Sequence, residues 1–429
     1  MANTLFRNVR IIDGSGAPAY AGEVLVQGNR IARVARGGSA MPMAGVTVID
    51  AAGATLMPGM TEAHVHLAWN NAATLDAIQL MPLEEHMLLT AENARLYLDC
   101  GWTSAVGAAT AKSRLDVVIR NSINEGLVPG PRYLAASPEI TVAGSLGDDT
   151  LPHLPFEEFS FGKVVSGPEE MRKAVRTYLK YGVDSIKLNL SGDNFVPHAD
   201  AKTTWMSDEE VAMAVRETKL RGKRNTVHAR SMESIRQALR HGIEVLYHVS
   251  YTDAETLDML EAQKDRIFVV PTFSVLVKLA YEGAPYGAAK GSVMQRNMEE
   301  ELEACANTMR ALHRRGVRIL PGGDYGFAWA KHGENAMDLQ YLVKYAGMTP
   351  MEAIAAATRL GGEIMMQPGE LGLVKEGYLA DLLLVDGDPL ADLGLLLDRS
   401  KLLAIMKDGA FHKEPELRAT RTRWALPAA

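Results

Sequence analysis

VDSIKLNL, at residues 183–190, is the stretch from which the fold can first be read. It is an apolar run with the length of a buried strand, and an amphipathic helical pattern, SDEEVAMAVRETKLRG, follows at residues 207–222. Ser207 before three acidic residues predicts the start of that helix, because a hydroxyl oxygen and negative charge both stabilise a helix N-terminus. A second strand-like run, RNTVHA, comes next at residues 224–229. Strand, helix and strand in this order predict a parallel α/β fold.

The same alternation fills the middle of the chain. Apolar runs such as IEVLYHVS at residues 243–250 and RIFVVPTF at residues 266–273 are each followed by a helical pattern. Eight strand–helix units can be counted between residues 58 and 369, which predicts a closed (β/α)8 barrel of the TIM type. The rival is an open doubly wound sheet, which would carry a glycine-rich phosphate-binding turn after its first strand. The sequence has no such turn there, so the barrel is favoured.

The two ends of the chain have a different pattern, in which short alternating or apolar runs are broken by glycine and asparagine. Examples are GEVLVQGNRIARVA at residues 22–35 and GLVKEGYLADLLLVDGDPL at residues 372–390. Such runs predict β-strands joined by tight turns. We therefore expect one small β-sandwich domain made of residues 1–57 and 370–429, and a catalytic barrel made of residues 58–369.

The composition is typical of a globular enzyme. The chain has 429 residues, of which 47% are hydrophobic and 23% are charged, and its net charge is -7. Because it has neither a basic stripe nor a run of about 18 apolar residues, we expect no nucleic-acid partner and no membrane span. The two cysteines imply no disulfide framework, and the N-terminus shows no secretory signal, so we expect a cytoplasmic protein.

The pair His64 and His66 lies at the predicted end of the first barrel strand. Residues i and i+2 of a strand share a face, so both imidazoles can point to one spot at the C-terminal mouth, where the active sites of such barrels lie. Two ordinary histidines remain the alternative for this pair taken alone.

Lys187 lies inside SIKLN, an otherwise apolar strand. A bare buried charge is costly, so the ammonium group must reach solvent, pair with a carboxylate or be modified. Carbamylation by carbon dioxide would turn the side chain into an anionic ligand that can bridge two cations. A paired structural lysine is the equally good alternative for this residue by itself.

Three further residues with ligand side chains, His228, His248 and Asp324, end later predicted strands. Imidazole nitrogen and carboxylate oxygen are ligands that zinc and similar cations take readily. Six such residues at the C-terminal ends of barrel strands are hard to explain as core filling. The sequence therefore predicts a metal centre that contains His64, His66, Lys187, His228, His248 and Asp324.

These residues and their surroundings resemble the amidohydrolase superfamily over nearly the whole chain. The matching features are HVH after PGMTEA at residues 58–66, the lysine in SIKLN, the strand-end histidines, Asp324 in PGGD, and AGMTPMEAIAAAT at residues 346–358 with the strands that follow it. Within the superfamily the chain is most similar to the prolidase-like carboxypeptidases and the ochratoxinases.

The resemblance implies a site with two divalent metal ions, of which zinc is the expected kind. It assigns the first two histidines and the aspartate to one cation and the two later histidines to the other, with carbamylated Lys187 as the bridge. It also makes Asp324 the catalytic residue, which acts as general base and then as general acid in the hydrolysis of an amide bond.

Two positions depart from the family pattern. Glu62 stands where the family usually has an aspartate before the first two histidines, so the hydrogen bonds around the metal ligands can differ. Many prolidase-like relatives carry a Gly-Gly-His-Gly stretch after the third strand, where this chain has AGSLGD at residues 143–148. The missing histidine argues against a simple copy of dipeptidase specificity.

Arg230 and Tyr247 are the candidate substrate-binding residues. Arg230 lies two residues beyond His228 and can share its face, and a guanidinium binds carboxylates well. A surface arginine is the equally good alternative. We expect a small-molecule or dipeptide-like substrate with a carboxylate, and the first hypothesis from the resemblance is ochratoxin A, cleaved to ochratoxin alpha and phenylalanine. The resemblance also implies a homo-oligomer, an octamer by analogy.

Other functions stay open on the same fold. A prolidase-like dipeptidase, a lactonase or an organophosphate hydrolase would use the same two metals. A mononuclear deaminase would not need Lys187, and the glutamate that it usually carries after the fifth strand is out of place in this chain, at Glu233. A non-enzymatic scaffold would have lost metal ligands, so it is the least favoured class.

Overall fold

The structure is a computed structural model, and it describes residues 3–37, 45–150, 153, 160–196 and 198–415. Parts of the predicted terminal domain, at residues 1–2, 38–44 and 416–429, lie outside the described residues. No helix in the described part combines the length and the apolar character needed to cross a membrane.

The β-strands of the described residues are, in chain order, β1 (Asn3–Ile11), β2 (Tyr20–Gln27), β3 (Arg30–Arg36), β4 (Val46–Asp50), β5 (Thr55–Pro58), β6 (Met60–Val65), β7 (Trp102–Gly107), β8 (Arg132–Leu134), β9 (Ala136–Val142), β10 (Gly162–Val165), β11 (Ser185–Asn189), β12 (Arg224–Ala229), β13 (Val245–His248), β14 (Phe268–Val270), β15 (Leu382–Val385), β16 (Leu402–Lys407) and β17 (Ala410–Lys413).

The α-helices mostly lie between the strands of the middle region. They are α1 (Leu75–Gln79), α2 (Leu83–Asp99), α3 (Leu115–Asn124), α4 (Pro168–Tyr181), α5 (Asp208–Lys219), α6 (Met232–His241), α7 (Ala254–Glu261), α8 (Phe273–Glu282), α9 (Val293–Arg314), α10 (Met337–Tyr341), α11 (Pro350–Ala357) and α12 (Arg359–Ile364). A π-helical turn at Leu342–Ala346 continues α10.

The strands of the two chain ends form one mixed sheet. Their order is β17-β16-β15-β5-β1-β2-β3, and β4 pairs with β1. The ends meet where β15 pairs antiparallel with β5, which places Leu383 opposite Met57. One face of these strands buries its own apolar core, which includes Phe6, Val24 and Leu384. The prediction that both ends contribute to one β-structure is confirmed.

The middle of the chain forms two parallel sheets, with the orders β6-β7-β8 and β10-β9-β11-β12-β13-β14. Strands β6, β7, β11 and β12 are buried along their whole length. Strands covered on both faces need apolar side chains at successive positions, which is why they appear in the sequence as continuous apolar runs. The predicted α/β class with parallel strands is confirmed.

The unit β11–α5–β12 forms where the sequence predicts it. Glu210 donates its backbone N–H to Ser207 Oγ over 3.3 Å, and Glu210 Oε2 accepts a 2.9 Å bond from the backbone N–H of Ser207. This capping box satisfies two N–H groups that the start of α5 would otherwise leave without a partner. β11 then pairs parallel with β12, and Asn189 lies opposite His228.

The last predicted strand of the barrel, VRILPGGD at residues 317–324, differs from the expectation. It makes an isolated bridge between Ile319 and Val269 and continues as a loop. Pro321 has no N–H group, so it has none to donate to a strand ladder. The N–H groups of the two glycines that follow donate to side-chain carboxyl groups instead, and the loop ends at Asp324.

Candidate metal centre and active site

The predicted ligands lie together at the C-terminal ends of the parallel strands. His64 belongs to β6, Lys187 to β11, His228 to β12 and His248 to β13. With His66 and Asp324 they line one cavity. The other residues of its wall are Trp69, Leu75, Glu139, Leu146, Phe161, Asp193, Phe195 and Phe327.

Three of the ligands form a tight group. His64 Nε2 and His66 Nε2 are 3.1 Å apart, and Asp324 Oδ1 lies 3.4 Å from the first and 3.1 Å from the second. Their ligand atoms lie within 4.8 Å of one another, and this is the one such group of three in the described part of the chain. His66 Nδ1 donates to the carbonyl oxygen of Ala109 over 3.0 Å, so its Nε2 carries a lone pair. Two nitrogen atoms and a carboxylate that converge in this way fit a divalent cation.

The protonation states in this group also suit a cation. Burial lowers the pKa of His64 to about 3, so the imidazole is neutral at physiological pH. Burial alone would raise the pKa of Asp324, but the two adjacent histidines outweigh it and hold that pKa well below its ordinary value. Neutral imidazoles and an ionised carboxylate are the forms that bind metal.

His228 and His248 lie beside this group. Their ring centroids are 4.3 Å apart, and the ring of His248 lies 5.5 Å from that of His64. The Thr272 hydroxyl donates to Pro271 O, so Thr272 Oγ1 accepts the 2.6 Å bond from His248 Nδ1, which leaves His248 Nε2 with a lone pair. Burial lowers the pKa of both histidines well below the ordinary value. They provide two more neutral imidazoles in the same cavity.

Lys187 is buried and lies close to a carboxylate. Its Nζ is 3.6 Å from Glu139 Oε1 and 5.2 Å from the centre of the Tyr247 ring. Burial lowers the pKa of the lysine, although Glu139 and Asp324 act in the opposite direction. The amine is therefore shifted towards its neutral, nucleophilic form.

The loop before Asp324 is held by two buried carboxyl groups. Gly322 donates its N–H to Asp338 Oδ2 over 2.9 Å, and Gly323 donates its N–H to Glu62 Oε1 over 3.0 Å. Asp324 itself has a φ of 61°, in the left-handed region, which costs roughly 1 kcal/mol or more for a residue other than glycine. A Cβ atom at Gly322 would lie 2.4 Å from Val270 Cγ1, so the loop requires glycine there.

The two predicted substrate-binding residues lie elsewhere than expected. The Arg230 guanidinium is fully buried between Asp193 and Glu301, and it is not part of the cavity wall. Tyr247 is also fully buried, and its ring packs against that of His64 with 4.1 Å between centroids. As strand geometry suggested, Arg230 lies near His228. Its guanidinium, however, forms ion pairs with Asp193 and Glu301 behind the cavity wall. This geometry does not support a direct contact of either residue with a substrate.

Four residues around the site were not singled out from the sequence. Glu139 lies in the middle of the buried strand β9, and a charged residue inside such a strand is the same signal that singled out Lys187. Asp193 lies in a loop after β11, and Asp338 opens a helix more than ten residues after Asp324, so no local pattern points to either of them. Trp69 stacks on His66 with 4.0 Å between the ring centroids and closes one side of the cavity.

Residues 55–411 match the amidohydrolase family, so the chain belongs to that family and is a hydrolase. It is 26% identical over 380 residues to an ochratoxinase of Aspergillus niger, and the match covers 84% of this chain and 76% of that protein. The predicted membership and enzyme class are confirmed.

Solved structures with the same fold include a dipeptidase and an ochratoxinase. A Xaa-Pro dipeptidase with methionine bound in its active site has a TM-score of 0.83 and 26% identity, and the match covers 96% of this chain and all of that chain. The Aspergillus niger ochratoxinase structure has a TM-score of 0.83 at 22% identity, with 96% of each chain covered, and shows the fold alone.

Proposed function

We propose that this protein is a two-metal amidohydrolase that cleaves amide bonds formed by amino acids. The observation that carries the proposal is the group of His64, His66 and Asp324, whose ligand atoms converge within 4.8 Å in a buried cavity. His228 and His248 are the proposed ligands of a second cation, and zinc is the first metal to test. When bound, two such cations lower the pKa of water and polarise a carbonyl oxygen.

Lys187, as a carbamate, is the proposed bridge between the two metals. The neutral form of its amine would add to carbon dioxide through the nitrogen lone pair and lose one proton, which converts a neutral side chain into an anionic oxygen ligand. The neighbouring Glu139 carboxylate, 3.6 Å away, is placed to take up that proton. The buried position and the lowered pKa of the lysine support this step.

The protein groups divide the remaining chemistry. Asp324 stays ionised because its pKa is held low, so it can accept a proton from the attacking water and return it to the leaving nitrogen. Trp69 and Phe161 lie edge to face, 5.7 Å apart, and their rings exclude water from one side of the cavity. A drier cavity strengthens every electrostatic interaction at the reacting carbonyl.

Two substrate hypotheses follow. The first is ochratoxin A and related N-acyl aromatic amino acids, supported by the ochratoxinase relative and by aromatic residues such as Phe195 and Phe327 in the cavity wall. The second is a dipeptide, supported by the Xaa-Pro dipeptidase neighbour. Lactones and phosphotriesters are further candidates on the same metals, and a non-enzymatic role is the least favoured.

The test is a substrate panel on zinc-loaded enzyme. We expect chelator-sensitive release of an amino acid from ochratoxin A or from a dipeptide, detected by chromatography. Asp324→Asn is the matched control, since it keeps the size of the side chain and removes its charge. Turnover of lactones or phosphotriesters alone, or a protein that binds no metal and has no turnover, would reject the proposal.

We also infer that the two parallel sheets belong to one closed (β/α)8 barrel, the domain at residues 58–369. Ala63 N donates to Pro321 O over 3.1 Å and Val269 N donates to Arg318 O over 2.9 Å, so residues 318–321 span the gap between β6 and β14. The shared core of the terminal strands supports a β-sandwich of residues 1–57 and 370–429. A homo-oligomer, an octamer by analogy, remains a prediction for light scattering to test.

A further inference from the structure

A buried ionic group lies directly behind the catalytic cavity. Arg230 is fully buried, and its Nη2 and Nε lie 2.7 and 2.8 Å from Asp193 Oδ2. Its Nη1 contacts Glu301 Oε1, which also accepts a 2.7 Å bond from Ser250 Oγ. Asn194 Nδ2 donates to the other oxygen of Glu301 over 2.6 Å. One guanidinium therefore serves two carboxyl groups, in a place where unpaired charge is costly.

The two carboxyl groups differ in what they face. Glu301 is surrounded by donors and is not part of the cavity wall, whereas Asp193 lines the cavity. Asp193 Oδ1 accepts a 3.4 Å bond from the backbone N–H of Phe195, which leaves lone pairs for another donor. Arg230 carries one positive charge and faces two carboxyl groups, so it can balance only one of them when both are ionised. Because Asp193 lines the cavity, a cation in the cavity can balance the remaining negative charge there.

No other described side chain of the cavity wall provides a free positive charge that would balance Asp193. Its other charged side chains, apart from the histidines, are Glu139, Lys187 and Asp324. Lys187 faces Glu139 as an amine and would itself be anionic as the proposed carbamate, and Asp324 faces His64 and His66. A substrate carboxylate thus meets no unpaired cationic side chain among the described residues of the wall, while a substrate cation meets Asp193.

We propose that Asp193 is the specificity-determining residue of this site and that it binds a protonated amino group of the substrate. The substrate's ammonium group would replace the proton or counterion that otherwise balances the carboxylate of Asp193. Arg230 keeps that carboxylate in place. The inference rests on the proposed amidohydrolase function and deepens it, because it favours dipeptides with a free amino group over N-acylated amino acids.

The experiment compares alanyl-phenylalanine with N-acetyl-alanyl-phenylalanine on the zinc-loaded enzyme at pH 7, where a free α-amino group is mostly protonated. We expect the wild type to have the higher kcat/KM for the free dipeptide. In Asp193→Asn that preference falls by roughly 10- to 100-fold, the usual effect of losing a hydrogen bond between charged groups. The loss is expected mainly in KM, since no reacting atom is changed.

Glu301→Gln is the matched control, because it removes the same charge from the same ionic group but not from the cavity wall. Either substitution leaves Arg230 with one carboxylate, so both variants are expected to fold, and thermal unfolding checks this. Glu301→Gln should keep the wild-type preference. An unchanged preference in Asp193→Asn, an equal loss in both variants, or a wild type that prefers the acetylated form would overturn the proposal.

Ligand binding separates this proposal from the proposed function. Trp69 lines the cavity, so quenching of tryptophan fluorescence reports binding of either peptide without turnover. If the wild type hydrolyses neither peptide, the hydrolytic function is rejected for this substrate class. The binding preference, and its loss in Asp193→Asn, still decides whether Asp193 recognises the amino group.

Discussion

Gly323 donates its backbone N–H to the buried carboxyl group of Glu62 over 3.0 Å. Glu62 comes shortly before His64 and His66, and Gly323 comes directly before Asp324, so this bond links the segments that carry three of the proposed metal ligands. Because Glu62 lies two positions before His64, this bond connects β6 directly to the loop that carries Asp324. Glu62, one of the two departures from the family pattern, therefore helps to hold the loop that carries Asp324.

Replacement of Glu62 by alanine should weaken both the fold and the metal site. The change leaves the N–H of Gly323 buried without an acceptor, which costs about 1–3 kcal/mol, and it frees the loop that positions Asp324. We expect a lower Tm and a lower zinc content by metal analysis. Glu62→Gln keeps an oxygen acceptor and should retain most zinc, so equal zinc loss in both variants would contradict the hydrogen-bond explanation.

Replacement of Asp324 by asparagine should lower kcat by roughly 10²–10⁴-fold, the usual contribution of general acid–base catalysis. The amide fills the same space but accepts no proton from water at neutral pH. The measurement is steady-state hydrolysis at saturating zinc, with the metal content determined on the same samples. A variant that keeps wild-type kcat would exclude Asp324 as the proton carrier.

Lys187→Ala should abolish most activity and lower the bound metal below two ions per chain, since it removes the proposed bridge. Wild-type enzyme assembled without carbon dioxide should show the same deficit, and added bicarbonate should restore the activity of wild type but not of the variant. Normal two-metal content in Lys187→Ala would count against the bridge.

His332 should make the metal-free protein less stable at acid pH. Burial lowers its pKa from 6.5 to about 4, so the folded protein keeps it neutral while the unfolded chain binds a proton as the pH falls. The stability contribution of neutral His332 is complete above pH 6.5, the pKa of histidine in the unfolded chain. It is lost at about 1.4 kcal/mol per pH unit as the pH falls from 6.5 to 4. Unfolding by urea at several pH values measures this slope.

His332→Gln is the variant that isolates this effect. Glutamine can still donate to the carbonyl oxygen of Trp69, which accepts a 3.0 Å bond from His332 Nε2, but it does not titrate. We expect the stability of the variant to fall less steeply on acidification, by the amount that corresponds to one proton. An identical slope in wild type and variant would show that His332 does not take part.

Local patterns predicted much of the fold and part of the site. The β11–α5–β12 unit and the paired His64 and His66 depend on side-chain periodicity, on caps and on the position of strand ends, all of which are features of neighbouring residues. Residues 317–324 show the limit of such patterns, because the apolar run suggested a strand while Pro321 and the two glycines direct their backbone elsewhere.

The sequence by itself determined the family, the alternation of strands and helices, and the residues with ligand side chains that stand at strand ends. Only the tertiary structure decided what surrounds them. Arg230 is engaged by Glu301, which lies 71 residues away in the chain, and so it is a partner of Asp193 rather than an exposed ligand of a carboxylate. The physical reason is that the charge environment of a buried side chain depends on the carboxylates and amines packed against it, and distant segments bring these together.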